Sequence, residues 1–123
     1  FNANLFLPNK QVMHDHYLRF LNLLNALDEP IFQDKNSGSL QLLQQICIQA
    51  FISDKLCTVN EVIAWKSLGS QASLHKRLHH LVELDLISLD PHEHDGRIKM
   101  VTPTAKAKKL FKQIDKIMSK TMT

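Results

Sequence analysis

Along most of the chain apolar residues recur every three or four positions, the spacing of amphipathic helices. From Lys10 to Asp28, Met13, Tyr17, Phe20, Leu21, Leu24 and Leu27 form such a stripe, widened by Leu23. Asp15, Arg19, Asn22 and Asn25 fall opposite, which predicts a long first helix. Pro30 disfavours helical geometry in Glu29 and is expected to end it. Asp34–Ser39 reads as a loop, and Leu40, Leu43, Ile46, Cys47, Ala50 and Phe51 predict the buried face of a second helix.

Thr58-x-x-Glu61 is a capping box, in which hydroxyl and carboxylate each satisfy an unpaired backbone N–H. It opens a short third helix with Val62 and Ile63 inward. Gly69 supplies a turn within Lys66–Ser70, and Ser70 caps a fourth helix running from about Gln71 to Leu84. Leu74, Leu78, Leu81 and Asp85 share one side of it. The period then changes: Ile87 and Leu89 alternate with Ser88, and Ile98 and Met100 with Arg97 and Lys99. That is a two-stranded hairpin joined through Pro91–Gly96, its return strand beginning at Asp95-Gly96-Arg97. Thr102-Pro103-Thr104 starts a last helix with the stripe Ala107, Leu110, Phe111, Ile114, Ile117 and Met118. Six lysines (106, 108, 109, 112, 116 and 120) occupy its other side.

Composition narrows the class. With 123 residues, 44% of them hydrophobic and 22% charged, the chain is expected to be one domain with a sizeable core. Three glycines and four prolines favour long helices. No apolar run approaches the roughly 18 residues of a membrane span, and apolar Phe1–Leu7 lacks the basic leader of a secretory signal. Residues 1–60 hold four Lys/Arg against five Asp/Glu, whereas residues 61–123 hold eleven against seven. A basic second half suggests a polyanionic partner. Two cysteines, Cys47 and Cys57, make no disulfide framework and fit a cytoplasmic location.

The fourth helix carries its polar residues away from its leucines. Ala72, Ser73, Lys76, His79, His80 and Glu83 lie opposite the stripe, with His75 and Arg77 on its flanks. Short residues at its start permit close approach to a major groove, where Gln71, Ser73, His75 and Lys76 would reach base edges or phosphates. Backbone N–H groups at Ser70–Ser73 favour a phosphate. At the hairpin tip Arg97, oriented by Asp95, suits a narrow minor groove, with Lys99 two residues on. His79 and His80 are expected near phosphates, and because histidine changes charge near neutrality, DNA affinity should rise as pH falls.

Residues 58–107 resemble the winged helix-turn-helix of the MarR-like transcriptional regulators. The resemblance rests on LGSQASLHKRLHHL, on LDLI leading into the hairpin, and on DGRIKMVTPTAKA. It implies a mainly α fold with a small β-hairpin, a winged helix-turn-helix (39–102) flanked by N-terminal (10–29) and C-terminal (104–121) dimerisation helices. It further implies sequence-specific binding of double-stranded DNA by a homodimeric regulator, with helix 71–84 in the major groove and wing 90–99 at the minor groove. Ser73, Lys76 and Arg97 inherit those contacts; Ser70, Gln71, His75, Arg77, His79, His80 and Lys99 complete the expected surface. Tyr17, Phe20, Leu21 and Leu24 of the first helix and Leu110, Phe111, Ile114 and Ile117 of the last are expected to pair across the two-fold axis. The chain departs from the family in having Ala107 where a glycine is usual, one extra residue between Glu61 and Ser73, and a single helix after the wing.

Other chemistries find less support. His75 and His79 stand at a chelating i, i+4 spacing, and His92 and His94 lie among Asp90, Glu93 and Asp95. A metal on the reading helix would compete with DNA, and counting back from Gly96 puts Pro91 where a calcium loop needs its first Asp. No metal or cofactor is therefore expected. The lysine face of the last helix has few aromatic anchors, so no membrane partner is expected. No nucleophile elbow or phosphate-binding glycine loop points to an enzyme. No residues are assigned to a small-molecule effector. The alternative is a winged-helix protein–protein interaction module without sequence-specific DNA binding.

Overall fold

The computed structural model describes residues 15–33 and 38–122. Among them six α-helices pack with a three-stranded antiparallel sheet. No helix among the described residues is long and apolar enough to cross a membrane.

Helix α1 spans His16–Asn25, shorter than its apolar stripe. Asp15 has extended backbone, and its carboxylate accepts from the N–H groups of Tyr17 and Leu18 at 3.0 and 3.2 Å. A side chain so engaged is a helix cap, and α1 begins after it; the expected start at Lys10 lies outside the described residues. The helix also closes before Asp28. Pro30 then heads a four-residue helix α2, Pro30–Gln33, where its missing N–H costs nothing. This unexpected turn buries Ile31 and Phe32. The expected loop lies largely outside the described residues; Gly38, at φ +75°, leads directly into α3, Ser39–Cys47.

Leu42, Leu43, Ile46 and Cys47 form the buried face of α3. The helix continues as a π-helical turn, Ile48–Ile52, closed by the Ser53 N–H donating to Ile48 O at 3.1 Å. A bond reaching back five residues rather than four shifts the helical phase of this segment. Phe51, expected inside, is thereby 46% exposed, and Ala50 is only half-buried.

Strand β1 is just Cys57–Thr58. Thr58 then caps α4, Val59–Ile63, with both arms of the capping box formed: its Oγ1 accepts from Glu61 N at 3.1 Å and Glu61 Oε1 accepts from its N–H at 2.8 Å. A 3-10 turn, Lys66–Leu68, and Gly69 connect to α5, Gln71–Glu83. Ser70 caps α5 by accepting from Ser73 N at 3.1 Å. Leu74, Leu78 and Leu81 are buried as expected. Asp85 is not on that stripe: it is exposed at φ +59°, in the left-handed residue that closes the helix. Asp85 N–H donates to Val82 O, and Leu86 N–H donates to Leu81 O, a Schellman pattern with Asp where Gly is usual.

The hairpin is β2, Ile87–Pro91, paired with β3, Lys99–Pro103, in the register Leu89↔Val101. The return strand starts at Lys99, later than expected, because Ile98 N–H donates back to Asp95 O and encloses Gly96-Arg97 in a turn. On the other edge of β3, Cys57 pairs with Val101, giving the order β1-β3-β2. Thr104 then caps α6, Ala105–Thr121. Its hydroxyl donates to Asp85 O at 2.7 Å and Lys106 Nζ donates to Leu84 O at 2.9 Å, so the start of α6 satisfies carbonyls left open at the end of α5.

One cluster holds these elements together, built on Leu42, Leu43, Val62, Leu74, Leu81, Ile87, Val101 and Ala107. Helix α6 packs on α1 within the same chain, and His16 Nδ1 donates to Thr121 O at 2.6 Å.

Candidate nucleic-acid interface

The leucine stripe of α5 faces the core, which turns Gln71, Ala72, His75, Lys76, His79 and Glu83 to solvent. At the start of the helix Ser70 is exposed and Ser73 half-buried, and Ser70 Oγ donates to Ser73 Oγ at 3.0 Å. Both hydroxyls thus take part in the cap.

Two expected contact residues are drawn the other way. Arg77 Nη1 donates to Leu68 O at 2.5 Å, and its guanidinium lies against Gly38 and Gly69. A Cβ at Gly38 would stand 2.7 Å from Arg77 Cζ, and one at Gly69 would stand 3.1 Å from Nη1. Both glycines also hold positive φ, so they suit this place by conformation and by space. His80 Nδ1 is hydrogen-bonded to Ser39 Oγ at 2.8 Å, where Ser39 is almost wholly buried. Arg77 and His80 therefore fasten α5 to the preceding turn and to the start of α3.

At the hairpin tip Arg97 is bound twice by one carboxylate: Nε donates to Asp95 Oδ1 and Nη2 to Oδ2, each at 3.1 Å. The Arg97 N–H also donates to Oδ1 at 3.1 Å, an Asx turn that fixes the backbone there. These bonds hold the Asp95 carboxyl below its usual range and push the Arg97 guanidinium up. The Arg97 side chain is nonetheless 91% exposed. Such a pair orients a side chain and adds little stability.

A groove runs between α5 and the hairpin. His75 and His79 line it from the helix, Arg97 and Lys99 from the hairpin, and Thr58 and Asn60 from the start of α4. Thr58 and Asn60 escape sequence reasoning because their position depends on β1, a two-residue strand without periodicity. The expected residues thus divide into an outward set (Ser70, Gln71, Ser73, Lys76), a groove set (His75, His79, Arg97, Lys99) and the inward Arg77 and His80.

The expected dimer residues divide similarly. Leu110 is 3% exposed and belongs to the core of the single chain, so it is not an available dimer contact. Leu24, Phe111 and Ile114 are partly buried against that core. Phe20, Leu21 and Ile117 are half-buried, and only Tyr17, at 65%, is well exposed. The two helices spend much of their apolar surface on each other and on the core.

The cysteines offer no reactive thiolate. Both are buried, and burial pushes the Cys47 thiol up to about 12. Burial raises Cys57 as well, as does the Glu61 carboxylate, against the opposing charge of Lys55. Among the described residues no three His, Cys, Asp or Glu side chains converge on a point. No family model matches the chain, and no curated protein or solved structure matches it.

Proposed function

We propose that the chain is a winged helix-turn-helix protein that binds duplex DNA as a dimeric transcriptional regulator, in the manner of the MarR-like regulators. In this reading α5 enters the major groove by its N-terminal half, with Gln71, Ser73 and Lys76 foremost. The hairpin is the wing, and Arg97 reaches the minor groove beside it. The observation that carries the reading is the placement of α5 and Arg97 on two sides of one groove, with cationic or hydrogen-bonding side chains turned outward from both. Arg77 and His80 drop out of the contact surface and support it from behind.

Dimerisation, in the same proposal, uses the outer faces of α1 and α6 rather than Leu110. Tyr17, Leu18 and Leu23 on α1 and Met118 on α6 are exposed apolar residues of those helices. A two-fold pair would present two α5 helices to successive major grooves. Selection from a random duplex pool tests the reading, with titration of the enriched sequence as the second step. Arg97→Ala and Lys76→Ala should each weaken binding and lower the salt slope by about 1. An enriched sequence whose affinity and salt slope ignore both substitutions would refute this surface.

A second reading, a protein–protein interaction module, is favoured by Ile48, Phe51, Ile52 and Leu56, all exposed around the π-helical turn, with Ile52 at 79%. Failure of any duplex to enrich would turn the balance toward it.

A further inference from the structure

The groove between α5 and the wing has an uneven charge. From α5 it receives His75 and His79, from the wing Arg97 and Lys99, and from the start of α4 the uncharged Thr58 and Asn60. Leu78, Leu89, Val59 and Ile98 supply apolar surface, and no carboxylate lines it among the described residues. Two acids bond to lining residues from outside the groove: Asp95, which holds Arg97 at the tip, and Glu61, which accepts from the Thr58 N–H at 2.8 Å and pairs with Lys55. His80 is turned away onto Ser39, and His92 and His94 lie in the wing tip outside the groove.

We propose that this groove seats a backbone phosphate of duplex DNA, and that His75 and His79 couple its occupancy to proton uptake. The inference rests on the DNA-binding reading above. In the free chain a proton on either imidazole adds positive charge beside Arg97 and Lys99. A phosphodiester in the groove offsets that charge, and a nearby opposite charge favours the charged form of the ring. A group that holds its proton more tightly in the complex than in the free chain makes binding take up protons. The added affinity therefore grows as pH falls and is lost as pH rises, and histidine is the side chain whose charge changes near neutrality. Glutamine at these positions would keep a hydrogen-bonding group and lose the switch.

The test titrates an enriched duplex with the full chain at pH 6 and pH 8 at matched ionic strength. Calorimetry in two buffers of different ionisation enthalpy counts the protons exchanged. The wild type should bind about tenfold tighter at pH 6, with net proton uptake and a steeper salt dependence. The double substitution His75→Gln/His79→Gln should lose most of the difference between the two pH values, whereas His92→Gln/His94→Gln should keep it. Thermal melts of both variants, whose histidines are at the surface, separate a folding defect from a binding one. Duplex binding that is equal at both pH values, or a pH response that survives His75→Gln/His79→Gln, would overturn the coupling while leaving the DNA reading intact. Absence of duplex binding at either pH would overturn both.

Discussion

Neighbouring residues on α5 have opposite duties. Lys76 projects to solvent, while Arg77 turns back to Leu68 O and lies against two glycines. Helical periodicity puts Arg77 on the flank of the leucine stripe, but which flank α3 covers depends on tertiary packing. That is why an inward Arg reads as an outward one. Arg77→Ala should cost about 1.5–3 kcal/mol, the range for a partly buried hydrogen bond from a charged donor. Arg77→Lys should recover little, because an ammonium cannot reproduce a planar group packed on glycine backbone. Urea denaturation measures both. Lys76→Ala, one residue away, should change stability by no more than about 0.5 kcal/mol. An equal loss of stability from Lys76→Ala and Arg77→Ala would contradict this division.

Elements with a chemical start signal are legible in the sequence, and those made by context are not. The capping box at Thr58, the Ser70 cap, the leucines of α5 and the change of period into the hairpin all stand where their residues put them. Strand β1 is invisible because two residues have no period, and the π-helical turn because nothing in Ile48–Ile52 distinguishes it from α-helix. Asp15 is hidden as a cap because the apolar stripe runs through it. At the groove, sequence pattern supplies the histidines and the basic pair, but bringing them together needs the sheet. Thr58 joins two elements, so its substitution probes both. Thr58→Ala should cost about 1 kcal/mol, as typical caps do. Glu61, the other arm, is held below the usual carboxylate range first by its bond from the Thr58 N–H, with Lys55 helping. Its contribution is therefore complete above the unfolded glutamate pKa of about 4.3 and is lost as pH falls through the lower folded value. Glu61→Gln keeps an acceptor without the titration, so it should flatten this part of the acid limb. Stability measured from pH 7 down to about pH 3 checks the sign.

At the scale of the whole molecule, the pairing of α1 with α6 inside one chain separates folding from self-association. The sequence places two apolar helices at the ends of the chain, and an apolar stripe does not say whether its partner is intramolecular. Burial does. Leu110 is closed into the core, while Tyr17 lies on the outer side of the same helical pair at 65% exposure. Leu110→Ala should therefore destabilise the monomer by about 2–5 kcal/mol, the cost of a core cavity. Tyr17→Ala should leave stability within about 0.5 kcal/mol, as a surface change does. If the outer faces of α1 and α6 join two copies, Tyr17→Asp should shift the molecular mass seen by light scattering toward the monomer without unfolding the chain. It should also weaken binding to a two-half-site duplex far more than to a single half-site, because only the former needs both copies. A dimer that tolerates Tyr17→Asp at equal concentration would place the contact elsewhere, with the exposed Ile48–Leu56 region the next surface to test.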